Sequence, residues 1–162
     1  MTWALFFTGF CFFSGSIWVR HAWFQTNSWD LGIFDQAVYL ISQGSTPYSS
    51  LLGFHIRGDH GSLVLYPIGW LSTVFPSVNL LFILQGAALS SSIFPLSKLA
   101  RINNLSQKLT AASLGMFLLY PVIFNVSIFD FHPEVLAVPL IMQVLVLLNH
   151  SSKKNYPLIF LC

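Results

Sequence analysis

Residues 78–97 read VNLLFILQGAALSSSIFPLS, a run of twenty residues without a charged side chain. A transmembrane helix needs about 20 predominantly apolar residues, because each residue advances the helix by about 1.5 Å and the hydrocarbon core of a bilayer is about 30 Å thick. This run is therefore predicted to cross a membrane as a helix.

The whole chain has the composition of a membrane protein. Of its 162 residues, 55% are hydrophobic and only 7% are charged, and the mean hydropathy is +0.71, whereas soluble domains carry about 25% charged residues. The net charge of +2 comes from a few scattered residues and does not indicate nucleic-acid binding. The two cysteines, Cys11 and Cys162, predict neither a disulfide framework nor a metal site.

Three further apolar runs lead us to predict an all-α, polytopic integral membrane helical bundle, with one membrane domain over residues 1–162. The N-terminal run lacks the basic residues and the cleavage pattern of a signal peptide, so we expect it to be retained. Residues 156–162 begin another apolar helix, which indicates that the chain is the N-terminal part of a longer protein. The predicted membrane helices cover residues 3–19, 78–98, 108–126 and 133–149.

A shorter apolar run, residues 62–75, contains Pro67 and would extend only about 21 Å as a helix. It is predicted to be a re-entrant or interfacial segment rather than a crossing. Lys98, Arg101 and Lys108 then share a side with the lysines at 153 and 154, and the positive-inside rule makes that side and the N-terminus cytoplasmic. All five acidic residues fall on the opposite, external side.

The first external loop, residues 20–61, contains WDLGIFDQAVYLISQG at residues 29–44. An interfacial helix is predicted over residues 31–43, with Asp30 as its N-cap and with Trp29 and Phe34 as a hydrophobic staple. Gly44 is predicted to end it in the left-handed conformation that glycine accepts most easily. Its apolar stripe comprises Leu31, Phe34, Val38 and Ile41, and the helix is expected to lie along the membrane surface.

Two carboxylates of this helix are candidate catalytic groups. Asp30 has an alternative role as a helix cap. Asp35 lies one turn inside the helix beside an apolar stripe, where it gains little from the helix dipole. Asp35 is therefore the leading candidate.

A second acidic group occurs in FDFHPEVLAVP, residues 129–139. Asp130, His132 and Glu134 could simply cap and solvate a tight loop before Pro133, or they could bind a cation or transfer a proton. We predict that they face Asp35, Asp59 and His60 across one external cleft. Carboxylate or imidazole atoms of Asp35 or Asp59 should then lie within about 10 Å of those of Asp130 or His132.

The segment FHIRGDHG, residues 54–61, supplies further polar candidates. Arg57 and His60 are predicted to bind an anionic group such as a phosphate. Asp59 is a candidate metal ligand together with His132 and Glu134, and the expected ion is magnesium or manganese.

Four ordered blocks in the chain resemble the family of predicted bacterial membrane proteins called domain of unknown function 2079: WDLGIFDQAVYLISQG, GFHIRGDHGSLVLYPIGWL, PSVNLLFILQG and FDFHPEV. Members of this family are several hundred residues long, so the chain resembles their N-terminal part. The resemblance implies a multi-pass protein of the bacterial inner membrane.

The family is similar, more distantly, to the GT-C glycosyltransferases, which take a sugar from a polyprenyl-phosphate donor. That likeness implies a GT-C-like architecture, an external active site and catalytic roles for Asp35, with Asp30 as its rival, and for Asp130. Gln36 stands where the usual motif has a second acidic residue after Asp35.

Two other hypotheses compete with sugar transfer. A transporter or cation-binding component would use the acids and histidines as ligands or relays, and it should place ionisable groups at mid-membrane depth. Only the amides Gln85 and Gln143 are expected at that depth. The third hypothesis is an inactive remnant of a truncated gene.

Overall fold

The computed structural model describes residues 1–59 and 61–149. Within these ranges the fold is built from eight α-helices, two 3-10 turns and one two-stranded hairpin. The helices are α1 (Thr2–Ala22), α2 (Ser28–Ser42), α3 (Leu65–Ser72), α4 (Asn79–Ser91), α5 (Ile93–Ile102), α6 (Gln107–Leu118), α7 (Pro121–Ile128) and α8 (Ala137–Asn149). The antiparallel strands are β1 (Tyr48–Ser49) and β2 (Phe54–His55), and the 3-10 turns are Ile56–Gly58 and Pro133–Leu136.

Two segments of the described chain are long and apolar enough to cross a membrane. One is α1, with 21 residues, and the other is the 24-residue unit Asn79–Ile102 formed by α4 and α5. A third crossing is possible if α6 and α7 act as one bent span. The prediction of a helical membrane protein is confirmed.

The helix predicted over residues 108–126 is broken. Tyr120 is extended and Pro121 is the first residue of α7, so the axes of α6 and α7 meet at 42°. The break has a simple cause, since proline lacks the amide hydrogen that would continue a helix and disfavours a helical conformation in the residue before it.

The helix predicted over residues 133–149 also differs from the prediction. Its first four residues form the 3-10 turn Pro133–Leu136, and α8 contains only 13 residues. The whole apolar unit of residues 133–149 is therefore shorter than the two long spans.

Helices α1 and α4 form the closest packed pair of the bundle. A Cβ atom at Gly86 of α4 would collide with the side chain of Ser14 of α1. Glycine at this position therefore lets the two backbones approach closely, as small residues do between membrane helices.

Cross-bundle contacts define the two ends of the bundle. At one end the side chain of Arg20, in the last turn of α1, meets Asp130. At the other end the hydroxyl oxygens of Thr2 and Ser97 lie 3.4 Å apart. The loop after α1 and the loop before α8 consequently share one end, which we call the acidic end because Asp30 and Asp130 lie there.

Helix α2 begins earlier than predicted, and Asp30 is not its N-cap. Asn27 caps the helix, with its Oδ1 accepting a hydrogen bond from the Trp29 amide at 2.9 Å. The staple prediction, which placed Trp29 before the cap, is therefore also wrong. Asp30 lies in the first turn, where its Oδ2 is 3.4 Å from Asn27 Nδ2.

The predicted end of α2 is confirmed. Gly44 has a φ of +68°, and its amide donates to the Ile41 carbonyl while the Ser45 amide donates to the Leu40 carbonyl. These two bonds define a Schellman motif. The predicted apolar stripe of α2 is buried and packs in the same core as α3 and Phe131.

Helix α3 lies inside the short apolar run at residues 62–75. Its eight residues extend about 12 Å, which is much less than the hydrocarbon core requires. Its place at the membrane interface stays a prediction.

Candidate functional site

The acidic end is organised around the C-terminus of α7, whose last four carbonyl groups cannot be satisfied within the helix. Gln85, a fully buried residue of α4, supplies a donor for two of these carbonyls and for the one that follows the helix. Its Nε2 lies 3.2 Å from the carbonyl oxygens of Val126 and Ser127 and 2.9 Å from that of Phe129.

Other groups complete this arrangement. Arg20 Nη1 donates to the Ile128 carbonyl at 2.6 Å, and the Phe129 amide donates to the Asn125 carbonyl at 3.0 Å. All four terminal carbonyls of α7 thus have partners, and the chain that follows starts from a fixed position.

Asp130 comes directly after this anchor and is 1% exposed. Its Oδ2 accepts a hydrogen bond of 2.7 Å from the Asn27 amide, and its Oδ1 lies 3.4 Å from Arg20 Nη1. Burial raises the pKa of the Asp130 carboxyl, while the Asn27 hydrogen bond and the Arg20 charge act to lower it. Asp130 therefore joins three segments, the end of α1, the start of α2 and the loop before α8.

His132 is held against α2 by its ring and its backbone. Its Nδ1 lies 2.9 Å from the Asp130 carbonyl oxygen, which can only accept, so Nδ1 carries a proton. The ring packs at 5.4 Å from that of Phe34 and at 5.3 Å from that of Phe129. The loop is thereby in contact with the residue that precedes Asp35.

Asp35 is half-buried on α2. Burial raises the pKa of its carboxyl, and the nearby His21 partly offsets this effect. His21 is positioned by a 2.9 Å hydrogen bond between its Nδ1 and Thr26 Oγ1 and by edge contact with the ring of Phe82. Carboxyl groups whose pKa is shifted by burial and by a charged neighbour cluster at functional sites.

The raised pKa of Asp35 predicts how stability depends on pH. The folded protein holds this proton more tightly than the unfolded chain, so the stabilising effect is complete below the ordinary pKa of 3.8 and is lost as pH rises through the higher folded value. We expect Asp35→Asn to be more stable than the wild type at pH 7, with a difference that shrinks toward pH 4. Thermal midpoints in detergent between pH 4 and 8 measure this.

Tyr39→Phe is the matched control, because Tyr39 lies one turn further along α2 and is 59% exposed. Its pH curve should follow the wild type. An Asp35→Asn curve parallel to the wild type over the whole range would contradict the raised pKa.

A pocket of about 550 Å³ opens beside the anchored loop. Asp130, His132 and Glu134 line it together, so the structure does bring these three predicted residues to one cavity. The remaining lining is mainly apolar and comprises Asn125, Val126, Phe129 and Val135. Such a lining suits a ligand with a hydrocarbon part and a polar end.

The other predicted residues lie in the loop between α2 and α3 or outside the described residues. Arg57 lines a second open pocket of about 640 Å³ with Phe54, His55 and Gly58. Asp59 is exposed and follows the 3-10 turn there. His60 lies outside the described residues.

The predicted metal ligands come from two separate segments of the chain, residues 54–61 and 129–139. Within residues 1–59 and 61–149, no group of three or more histidine, cysteine or acidic side chains is close enough to hold a metal ion. Asp59, His132 and Glu134 therefore do not form a three-ligand centre in the structure.

Two of the residues that build the site were not predicted from the sequence, and a third was placed only by depth. His21 follows Arg20 directly at the end of a membrane helix, and this pair of basic side chains was an available signal. Asn27 is also of a residue type that caps helices well, three positions before Asp30. Gln85 was expected only as a mid-membrane amide, and its partners lie about 40 residues away.

The four sequence blocks quoted above lie in a region that matches a known family model. The family model described as a predicted membrane protein (DUF2079) matches residues 20–162. This chain belongs to that family. The match includes the end of α1, the whole acidic end and the loop with Asp130, so the site described above lies inside the shared DUF2079 region.

No curated protein and no solved structure matches this DUF2079 chain.

Proposed function

We propose that this DUF2079 chain forms the external site of a GT-C-like sugar transferase that uses a polyprenyl-phosphate donor. The observation that supports the proposal best is Asp35, a half-buried carboxyl with a raised pKa at the end of a membrane bundle. A general base works best when its pKa approaches the working pH, so burial makes Asp35 a better base for an acceptor hydroxyl than an exposed aspartate.

In this proposal Asp130 is a positioning residue. It is buried between Arg20 and the Asn27 amide, so its carboxylate holds α1, α2 and the loop together at the edge of the pocket. Asp30 supports the cap of α2 through Asn27. The three acids first considered as catalytic then have different roles, and only Asp35 is left as the base.

The pocket beside the loop is the proposed place for the donor. Its apolar walls suit the first prenyl units, and His132 and Glu134 lie at its polar part. Arg57, with the open pocket it lines in the external loop, is proposed to bind the phosphate or the acceptor, together with His60.

A divalent cation is compatible with this site without a three-residue protein cluster. Magnesium is commonly held by one or two carboxylates together with oxygens of a substrate phosphate. Asp59 and Glu134 are the exposed carboxylates of the external segments that could contribute in this way.

The transporter hypothesis gains little support from the described residues. Gln85 uses its amide to hold the carbonyl groups of α7. The five acidic residues lie on α2, in the long loop or around Asp130, outside the candidate spans. A relay across the bilayer requires polar groups inside it.

The two functions can be separated in one preparation. The protein is reconstituted into liposomes with a panel of polyprenyl-phosphate sugars labelled in the sugar, and a membrane extract supplies acceptors. We expect label to leave the donor, with no proton or cation flux above that of empty liposomes. Flux without transfer would favour the transporter, and the absence of both would favour the inactive remnant.

A further inference from the structure

The opposite end of the bundle contains a pocket that the proposed transferase does not use. It has a volume of about 510 Å³ and lies where α1 begins, between α1, α5 and α8. The Thr2–Ser97 contact places it at the end away from Asp130. Arg20 and Thr2 are 18 residues apart on α1, so the two ends are separated by about 27 Å.

Two cations line this pocket. Lys98 and Arg101 are three residues apart on α5, which puts them on one face of the helix, and both are exposed. Neither side chain forms an ion pair with any residue in the described part of the chain, where the recorded pair is Arg20–Asp130. Their charge is therefore available to an anionic ligand.

Neutral donors converge on the same space. The hydroxyl groups of Thr2 and Ser97 and the amide of Gln143 also line the pocket. Hydroxyl and amide groups beside a lysine and an arginine are a suitable set of donors for phosphate oxygens.

An aromatic residue indicates the depth of this pocket in the bilayer. Trp3 lines it, is 65% exposed, and packs against Phe94 with ring centroids 4.7 Å apart. Exposed tryptophans at the ends of membrane helices lie at the level of the lipid headgroups. A ligand of the pocket would thus meet Lys98 and Arg101 at headgroup level.

We propose that this pocket binds the phosphate group of an anionic membrane lipid, with Lys98 and Arg101 as its cations and Thr2, Ser97 and Gln143 as neutral donors. Basic pockets between membrane helices recognise lipid headgroups in this way. The lipid chains would lie along the exposed apolar surface beside Trp3 and Phe7. The proposal is independent of the transferase function.

Native mass spectrometry of the purified full chain tests this with phosphatidylglycerol, phosphatidylcholine and inorganic phosphate. We expect wild-type protein to retain phosphatidylglycerol preferentially, and Lys98→Gln/Arg101→Gln to bind it at least about tenfold more weakly. The control is Lys108→Gln, which removes an exposed cation that does not line the pocket. Lys108→Gln should bind as the wild type does.

Three outcomes would overturn the proposal. Equal loss of phosphatidylglycerol binding in Lys108→Gln would show that general surface charge binds the lipid. Equal retention of phosphatidylcholine would show that the pocket does not select the headgroup. Displacement of the lipid by inorganic phosphate at equal concentration would show that the pocket is a site for soluble phosphates. If the double variant does not fold, Arg101→Gln and Lys98→Gln are measured singly, and each should weaken phosphatidylglycerol binding.

Discussion

Replacing Gln85 by leucine is expected to destabilise the protein by about 2–4 kcal/mol, although the two side chains have similar volumes. The amide of Gln85 supplies the donor for carbonyl groups at Val126, Ser127 and Phe129. Leucine has no donor, so these buried and partly buried carbonyls lose this partner and pay part of their desolvation cost. The free energy of unfolding in detergent micelles measures the effect.

Gln107→Leu is the control for this substitution. Gln107 is exposed in the first turn of α6, so the same chemical change should alter stability by no more than about 0.5 kcal/mol. A Gln85→Leu variant as stable as Gln107→Leu would show that the amide does not hold the end of α7.

Replacing Asp130 by leucine is expected to cost about 3 kcal/mol. The carboxylate is the partner of Arg20 and of the Asn27 amide. Its removal leaves a partly buried cation without its counter-ion and a backbone donor without its acceptor. Asp130→Asn keeps an acceptor oxygen for the Asn27 amide, so its loss should be smaller. Chemical denaturation of the three proteins under identical conditions gives this order.

A double-mutant cycle isolates the contribution of the ion pair. Arg20→Leu/Asp130→Leu removes both charges, so its destabilisation should be smaller than the sum of the two single variants. Additive losses would show that Arg20 and Asp130 do not interact across the end of the bundle.

Composition and apolar run length predicted the membrane fold well, because a bilayer imposes strong and simple constraints on a chain. The runs at residues 3–19 and 78–98 correspond to the two long spans of the structure, Thr2–Ala22 and Asn79–Ile102. The run at residues 108–126 is predominantly apolar and so predicts one helix, but Pro121 breaks it, as proline does in a helix interior.

The start of α2 shows where local signals become insufficient. Asn27 and Asp30 are both good N-cap residues, and the choice between them depends on a carboxylate far away in the chain. The Asn27 amide donates to Asp130, which is 103 residues further on. A helix boundary was thus decided by tertiary structure.

The candidate site could be predicted only in part, because its details also depend on tertiary structure. Charge segregation indicated one acidic end, and the structure joins that end through Arg20 and Asp130. The separate roles proposed for the acids depend on burial, since Asp130 is enclosed while Asp35 is half-buried near His21. Burial of a single polar residue cannot be deduced from its neighbours in sequence.

The transfer rate of Asp35→Asn compared with Tyr39→Phe is the most direct test of the proposed site. Both residues lie on α2, one turn apart, and Tyr39 is exposed. In liposomes with a labelled polyprenyl-phosphate sugar, we expect Asp35→Asn to lose about 10²- to 10⁴-fold in rate while remaining folded, because it lacks the general base. Tyr39→Phe should keep the wild-type rate. A folded Asp35→Asn variant that transfers sugar at the wild-type rate would contradict the account.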